Sequence, residues 1–151
     1  IIGWTTIIFG ILLYISDRFQ TNKKILHSLN LKSAILIGLF QVLSLVPGVS
    51  RSGITITAAR ILKFKRYDSA KISFLLSIPT LGAVSLFGLK NLFETGNLNF
   101  SFLNLLSIVL SFLFSYITIK YFLKYIQKFS LNIFVIYRII LGTVILFFAY
   151  L

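Results

Sequence analysis

The sequence predicts an all-α, polytopic membrane protein with four membrane-spanning helices and one re-entrant helix-loop-helix pair. Three observations predict it. Of 151 residues, 58% are hydrophobic and only 12% charged, with a mean hydropathy of +0.97, far more apolar than an ordinary soluble domain. The apolar residues fall in runs that reach or approach the roughly 20 needed to cross about 30 Å of hydrocarbon. Lys and Arg mostly punctuate those runs. Residues 1–151 read as a single membrane domain. The sequence holds no Met and opens inside the apolar run IIGWTTIIFGILLYIS, so it is expected to be a piece of a longer chain.

Residues 1–16 form the first apolar helix, and residues 17–32 a polar loop carrying Asp17, Arg18, Lys23, Lys24, His27 and Lys32. Residues 33–46 are apolar, 47–53 are the break PGVSRSG, and 54–62 mix apolar and small residues. After the basic loop KFKRYD, residues 69–89 make a full-length helix. Asp68 is its expected N-cap and Pro79 its expected kink. Residues 90–100 are a loop, 101–119 a span, 120–131 a segment with Lys120, Lys124 and Lys128, and 132–151 the last span.

Charge decides how the middle of the chain is threaded, because Lys and Arg accumulate on the cytoplasmic side. If residues 33–62 dip in and return, the loops at 17–32, 63–71 and 120–131 share a side and hold eleven Lys and Arg, against Lys90 opposite. A single crossing would split the same charges five against seven. Length agrees: residues 33–46 extend about 21 Å as helix and residues 54–62 about 14 Å, both short of the hydrocarbon thickness. Residues 33–62 are therefore read as a re-entrant hairpin with its loop at 47–53, lining a water-filled cavity because non-helical backbone cannot face lipid.

The net charge of +12 does not point to nucleic acid, because the cations punctuate apolar spans and form no soluble basic face. Anionic membrane lipids are the expected counter-charge. With no Cys, disulfides, thiolate metal sites and cysteine nucleophiles are excluded.

Arg51 lies in the break, where a cation near the bilayer centre costs about 2.5–3.5 kcal/mol on insertion scales unless it has an anion or a hydrated cavity. The three acids, Asp17, Asp68 and Glu94, all fall in predicted loops, so the anion comes from another segment or from a ligand. The surroundings favour a phosphate. Gly48 and Gly53 free the backbone to present successive N–H groups, and the second arm begins here with its positive dipole end toward the loop. Ser50, Ser52 and Thr55 add hydroxyls, and a guanidinium grips two phosphoryl oxygens at once. A purely structural reading has Pro47 and Gly48 breaking the helix, Ser52 capping the next arm and Arg51 paired with a distant acid.

The stretch PGVSRSGITI followed by SAKISFLLSIP resembles the second signature region of the bacterial undecaprenyl-diphosphate phosphatases, the bacitracin-resistance family, over about Gln41 to Pro79. The later helices fit the C-terminal part of that family in order and length. The resemblance implies an inverted-repeat fold with two re-entrant pairs meeting at the active site. It implies removal of the terminal phosphate of undecaprenyl diphosphate, recycling the carrier lipid for cell-wall synthesis, at a site opening to the external face of the bacterial cytoplasmic membrane. It assigns catalytic roles to Arg51, the diphosphate clamp, and to Ser50. Gly48, Ser52, Gly53, Thr55, Gln41 and Ser73 are the expected substrate-binding residues. The family's acid-x-x-x-Glu motif and its His are not found here, so a divalent cation, Mg or Ca, is expected to take its ligands from outside these residues. The isolated 151 residues are expected to be inactive.

Other readings remain beside this one. Carriers for anionic substrates also use inverted repeats, broken helices and a midplane anion site, so a transporter half is the alternative function. No base is identifiable beside Ser50 or Ser52, which leaves the nucleophile open. Gln41 and Ser44 share a helical face and either line the cavity or bond between helices. His27 reads as interfacial. Arg60 is expected to snorkel to headgroups, and Arg138 to snorkel or make an interhelical contact in preference to binding substrate. The Ser73/Ser77 and Ser111/Ser115 pairs read as close-packing surfaces. A homo-oligomer is compatible with all of this.

Overall fold

Apolar runs without internal Gly-Pro breaks become helices here, and each change of direction falls where a polar or glycine-containing segment interrupts them. The computed structural model describes residues 1–19, 22–95 and 102–151. Its elements are α1 (Ile2–Asp17), a short α2 (Ile25–Ser28), α3 (Leu31–Val42) continued by a 3-10 turn (Leu43–Leu45), α4 (Arg51–Ile61), α5 (Arg66–Thr95), α6 (Phe102–Lys128) and α7 (Asn132–Tyr150). The only pairing of extended backbone among the described residues is an isolated bridge between Lys23 and Phe64.

Among the described residues three helices are long and apolar enough to cross a membrane: Arg66–Asn91 within α5, Phe102–Lys128 and Asn132–Tyr150. The first apolar helix, expected as a fourth span, has 16 residues and reaches about 24 Å. No residue in the apolar window of α6 is buried within these 151 residues. That leaves a continuous hydrocarbon-like surface, which fits lipid or other membrane helices and not water.

Several expected boundaries move, each for a local reason. Helix α4 starts at Arg51, because Ser50 is the N-cap and its Oγ accepts from the Gly53 N–H at 3.2 Å; the break is thus shorter than 47–53, and Ser52 is inside the helix. Helix α5 begins at Arg66, which puts Asp68 in its first turn and not at the cap; an acid there suits the positive dipole end. The same helix continues to Thr95 through residues expected to be loop, with Glu94 4 residues beyond Lys90 and 3.7 Å from it. The remainder of that loop, 96–100, lies outside the described residues. Helix α6 runs on through Lys120, Lys124 and Lys128, since lysine is a good helix former. Pro79 sits inside α5.

At one end of the molecule a carboxylate holds four segments together. Asp17, the last residue of α1, is 5% exposed, which corrects its expected place in an interfacial loop. It accepts from Arg66 Nε at 2.7 Å and Nη2 at 3.0 Å, and from the Leu131 N–H at 3.3 Å. Arg60 Nη2 lies 3.3 Å from its Oδ1. Arg60 also donates to the carbonyls of Asp17 (2.6 Å), Phe19 (3.3 Å) and Phe64 (3.2 Å). At 2% exposed, it does not snorkel to headgroups: a carboxylate and three carbonyls outcompete water for its donors. Beside this cluster, Lys23 N–H donates to Lys63 O and Lys65 N–H to Lys23 O, both at 3.1 Å, so the chain before α2 and after α4 runs side by side.

Away from that end, α1 packs along α7 through glycine. A Cβ at Gly3 would lie 2.7 Å from Leu146, and one at Gly142 would lie 2.5 Å from Ile7 and 3.0 Å from the Gly3 carbonyl. Between α1, α4, α6 and α7 lies a core of Leu13, Ile56, Ile126, Leu131 and Val135, with Phe122 and Phe134 packed edge-on at 5.2 Å against it.

Removing the Asp17 charge strands Arg60 in a buried site. Asp17→Asn in the full-length protein is expected to cost about 3–5 kcal/mol. Arg66→Gln, whose partner keeps Arg60 and whose side chain is 37% exposed, is expected to cost about 1 kcal/mol or less. Unfolding of the detergent-solubilised protein measures both, and equal losses would show that the carboxylate does not organise this end.

Candidate functional site

The break is built by residues that refuse the helix. Leu45 ends the 3-10 turn, Val46 is extended, Pro47 withholds an N–H, and Gly48 takes φ +91°, a left-handed conformation that a side chain disfavours. Space enforces the same choice: a Cβ at Gly48 would lie 2.7 Å from the Ile2 carbonyl, beside Thr5 Oγ1. Thr5 Oγ1 donates to Pro47 O at 2.7 Å and Thr6 Oγ1 to Gly48 O at 3.3 Å, so the start of α1 holds the loop in place.

Three helices act as rulers from the Asp17 end. At 1.5 Å per residue, Thr5 stands about 18 Å along α1 from Asp17, Arg51 about 14 Å along α4 from Arg60, and Thr80 about 21 Å along α5 from Arg66. Thr80 is where Arg51 goes: its Nη1 donates to Thr80 Oγ1 at 3.1 Å. The break therefore lies about 14–21 Å along the helices from the carboxylate cluster.

From here α4 supplies its N-terminus. Ser50 Oγ takes the Gly53 N–H and lies 3.2 Å from Ser52 Oγ, and the Arg51 and Ser52 N–H groups, in the first turn, have no intrahelical acceptor. Ser50, Ser52 and Gly53 form the polar end of a cavity of about 220 Å³ whose remaining wall is apolar and includes Phe122 and Phe134. Arg138 of α7 completes that polar end. It is 8% exposed, its Nη2 donates to Gly48 O at 3.1 Å, and a Cβ at Gly53 would lie 2.9 Å from its Nη1.

The expected site residues thus divide. Gly48, Ser50, Ser52 and Gly53 lie together at the turn. Arg51 starts from the same turn but directs its guanidinium to α5. Thr55 and Ser73, 1% and 5% exposed, are bonded to each other at 2.7 Å, and Thr55 Oγ1 also bonds the Arg51 carbonyl at 2.9 Å; they join α4 to α5 beneath Arg51. Gln41 on α3 has a buried Oε1 with no partner among the described residues. The His27 side chain lies outside the described residues. Arg138, expected to snorkel or to meet a neighbouring helix, makes the interhelical contact, and the loop it reaches is the break itself. A cation well inside an apolar span with no acid within a helical turn was the available signal.

A larger opening, about 750 Å³, lies elsewhere, around Asp17, Arg60 and Arg66. No group of three or more His, Cys, Asp or Glu occurs among the described residues. Asp17 is committed to two arginines and Glu94 faces Lys90, so the acids present do not fit a divalent cation.

Comparison with known proteins places this geometry in a family. The family described as Bacitracin resistance protein BacA matches residues 1–144. A protein of Pelagibacter ubique (strain HTCC1062) named undecaprenyl-diphosphatase is 56% identical over 150 residues, 99% of this chain and 58% of that protein. Proteins of the same name from Elusimicrobium minutum (strain Pei191) and Alcanivorax borkumensis (strain ATCC 700651 / DSM 11573 / NCIMB 13689 / SK2) are 41% and 42% identical, over 97% of this chain and 55% and 56% of their own length. The chain spans a little more than half the length of these relatives. With a match over nearly its whole length and three helices suited to crossing a membrane, this multi-pass membrane chain belongs to the bacitracin resistance protein BacA family.

Proposed function

We propose that the protein of which these residues form part hydrolyses undecaprenyl diphosphate to undecaprenyl phosphate and inorganic phosphate in the bacterial cytoplasmic membrane, and that residues 46–55 supply part of its diphosphate site. The observation that carries this reading is the start of α4: its N-terminal N–H groups, two serine hydroxyls and the Arg51 side chain originate within one turn. The 56% identity to a protein named undecaprenyl-diphosphatase supports the substrate.

Attack of a water oxygen on the terminal phosphorus breaks the bridging P–O bond, and the lipid monophosphate leaves. Such a transition state spreads negative charge over the phosphoryl oxygens, so fixed donors and cations do most of the work. In this reading Arg51 leaves Thr80, a neutral partner, for phosphoryl oxygens, and the Ser50 and Ser52 hydroxyls and the α4 dipole hold the diphosphate. A divalent cation and the group that orients the nucleophile come from outside residues 1–151. The apolar wall beside the serines suits the first part of an isoprenoid tail.

The reading includes a re-entrant course for residues 23–64. It is supported by the side-by-side backbone at Lys23 and Lys63–Lys65, by α3 and α4 each falling short of a span, and by the gathering of the Lys/Arg-rich loops around Asp17. The site would then open to the external face, away from that basic side.

Arg51→Ala in the full-length protein is expected to lower phosphate release from a polyprenyl diphosphate by about 10²–10³-fold. Anion flux without phosphate release would favour a carrier instead. Threading is tested separately by single cysteines in a cysteine-free full-length protein: Lys24→Cys and Lys65→Cys are expected to react with an impermeant maleimide from one side, and Lys90→Cys from the other. Opposite sidedness for 24 and 65 would remove the hairpin.

A further inference from the structure

We infer that Arg138 is a second anion-binding guanidinium of this site, with Nη1 directed at a phosphoryl oxygen of a bound diphosphate while Nη2 stays on the Gly48 carbonyl. The inference deepens the proposed function and rests on it for the identity of the lipid, but not for the chemistry of the anion.

A guanidinium carries five N–H donors and keeps its charge at any relevant pH. Arg138 uses one nitrogen, Nη2, which donates to Gly48 O at 3.1 Å. Nη1 is buried and has no hydrogen-bond partner among the described residues. Buried donors of this kind are rare and require an explanation. The charge is unanswered as well: among the described residues, Asp17 pairs with Arg60 and Arg66, Glu94 pairs with Lys90, and no acid pairs with Arg138.

The orphaned donor is also aimed. The site of a Cβ on Gly53 is 2.9 Å from Nη1 and 3.2 Å from Ser50 Cβ, so the nitrogen faces the first turn of α4, where Ser50 and Ser52 offer hydroxyls and the helix offers its positive end. Glycine at 53 keeps that approach open. The cavity there has a polar end and apolar walls, the form expected for a phosphate esterified to an apolar chain. Arg51 leaves the same turn toward α5 and Arg138 arrives from α7. A diphosphate has two phosphoryl groups, and the arrangement offers each a guanidinium.

A merely structural Arg138 would hold the loop through Gly48 and nothing more. The full-length protein separates the two roles through affinity for inorganic pyrophosphate, measured by direct binding and by inhibition of polyprenyl diphosphate hydrolysis. Arg138→Gln is expected to weaken pyrophosphate binding at least tenfold and raise the KM for lipid more than it lowers kcat. Arg138→Lys, which keeps one charge, is expected to recover part of that affinity. Gly53→Ala, which narrows the approach with Arg138 intact, is expected to weaken pyrophosphate binding in the same direction.

Pyrophosphate affinity within twofold of wild type in Arg138→Lys and Arg138→Gln, with only thermal stability lowered, would overturn the inference; it is also the result expected if a carboxylate from outside residues 1–151 pairs with Arg138. Absence of pyrophosphate binding by the wild type would overturn it too. Arg138-dependent pyrophosphate binding by a protein that releases no phosphate from lipid would uphold the inference and remove the hydrolase reading.

Discussion

The Asp17 carboxylate is the constraint on which the arrangement rests. It ends α1, receives Arg60 from the last turn of α4 and Arg66 from the first turn of α5, and takes the N–H of Leu131 at the turn between α6 and α7. A carboxylate buried to this degree is stable only when its lone pairs are filled by charged or N–H donors. Filling them requires four segments distant in sequence to meet at one level. Because helices are stiff rods of fixed rise, that meeting also fixes the level of everything further along them. Arg51 is nine residues from Arg60, so pinning Arg60 sets the depth of the break.

The other end is fixed by small side chains. Gly3, Gly10 and Gly142 let α1 and α7 approach until a Cβ would collide with the opposite helix. In a membrane, where apolar burial gives little preference for helix over lipid, such close packing is a main source of association. It has a consequence for the site. The approach of α1 brings Thr5 and Thr6 to the loop carbonyls, and the approach of α7 brings Arg138 to Gly48. The loop is non-helical backbone, whose polar groups need partners from protein or water. Two threonines and an arginine meet the carbonyls of Pro47 and Gly48.

What could be read from the sequence follows from how local the physics is. The break at PGVSRSG, the short arms on either side and the three long apolar spans depend on nearby residues and are legible without coordinates. Ser50 and Ser52 were separable only by helix geometry: the hydroxyl that caps is the one three residues before the N–H it accepts, and both serines precede helical residues. Arg60 was misjudged because its partner lies 43 positions away, and Asp17 because composition alone makes the end of an apolar run look like an interface. Lysines 120 to 128 marked a loop by charge, yet lysine is a helix former, and α6 simply outlasts its apolar part.

Arg138 shows what the sequence does contain when the same argument is applied twice. The case for Arg51 was a permanent cation in an apolar region without an acid to neutralise it, and Arg138 satisfies that description equally. Coordinates add the distinction between neutralised and merely solvated charge. Arg60 has a carboxylate at 3.3 Å. Among the described residues the partners of the Arg51 and Arg138 guanidiniums are a hydroxyl and a carbonyl, which orient a guanidinium but cancel none of its charge. Arg138 approaches the turn whose helix presents its positive end, while Arg51 starts from that turn and reaches Thr80 of α5. Like charges in a low-dielectric region repel unless an anion lies between them. The placement of positive charge in this chain is thus divided by partner type: carboxylate-bound at the basic end, where it holds helices together, and neutral-bound at the break, where it is left available.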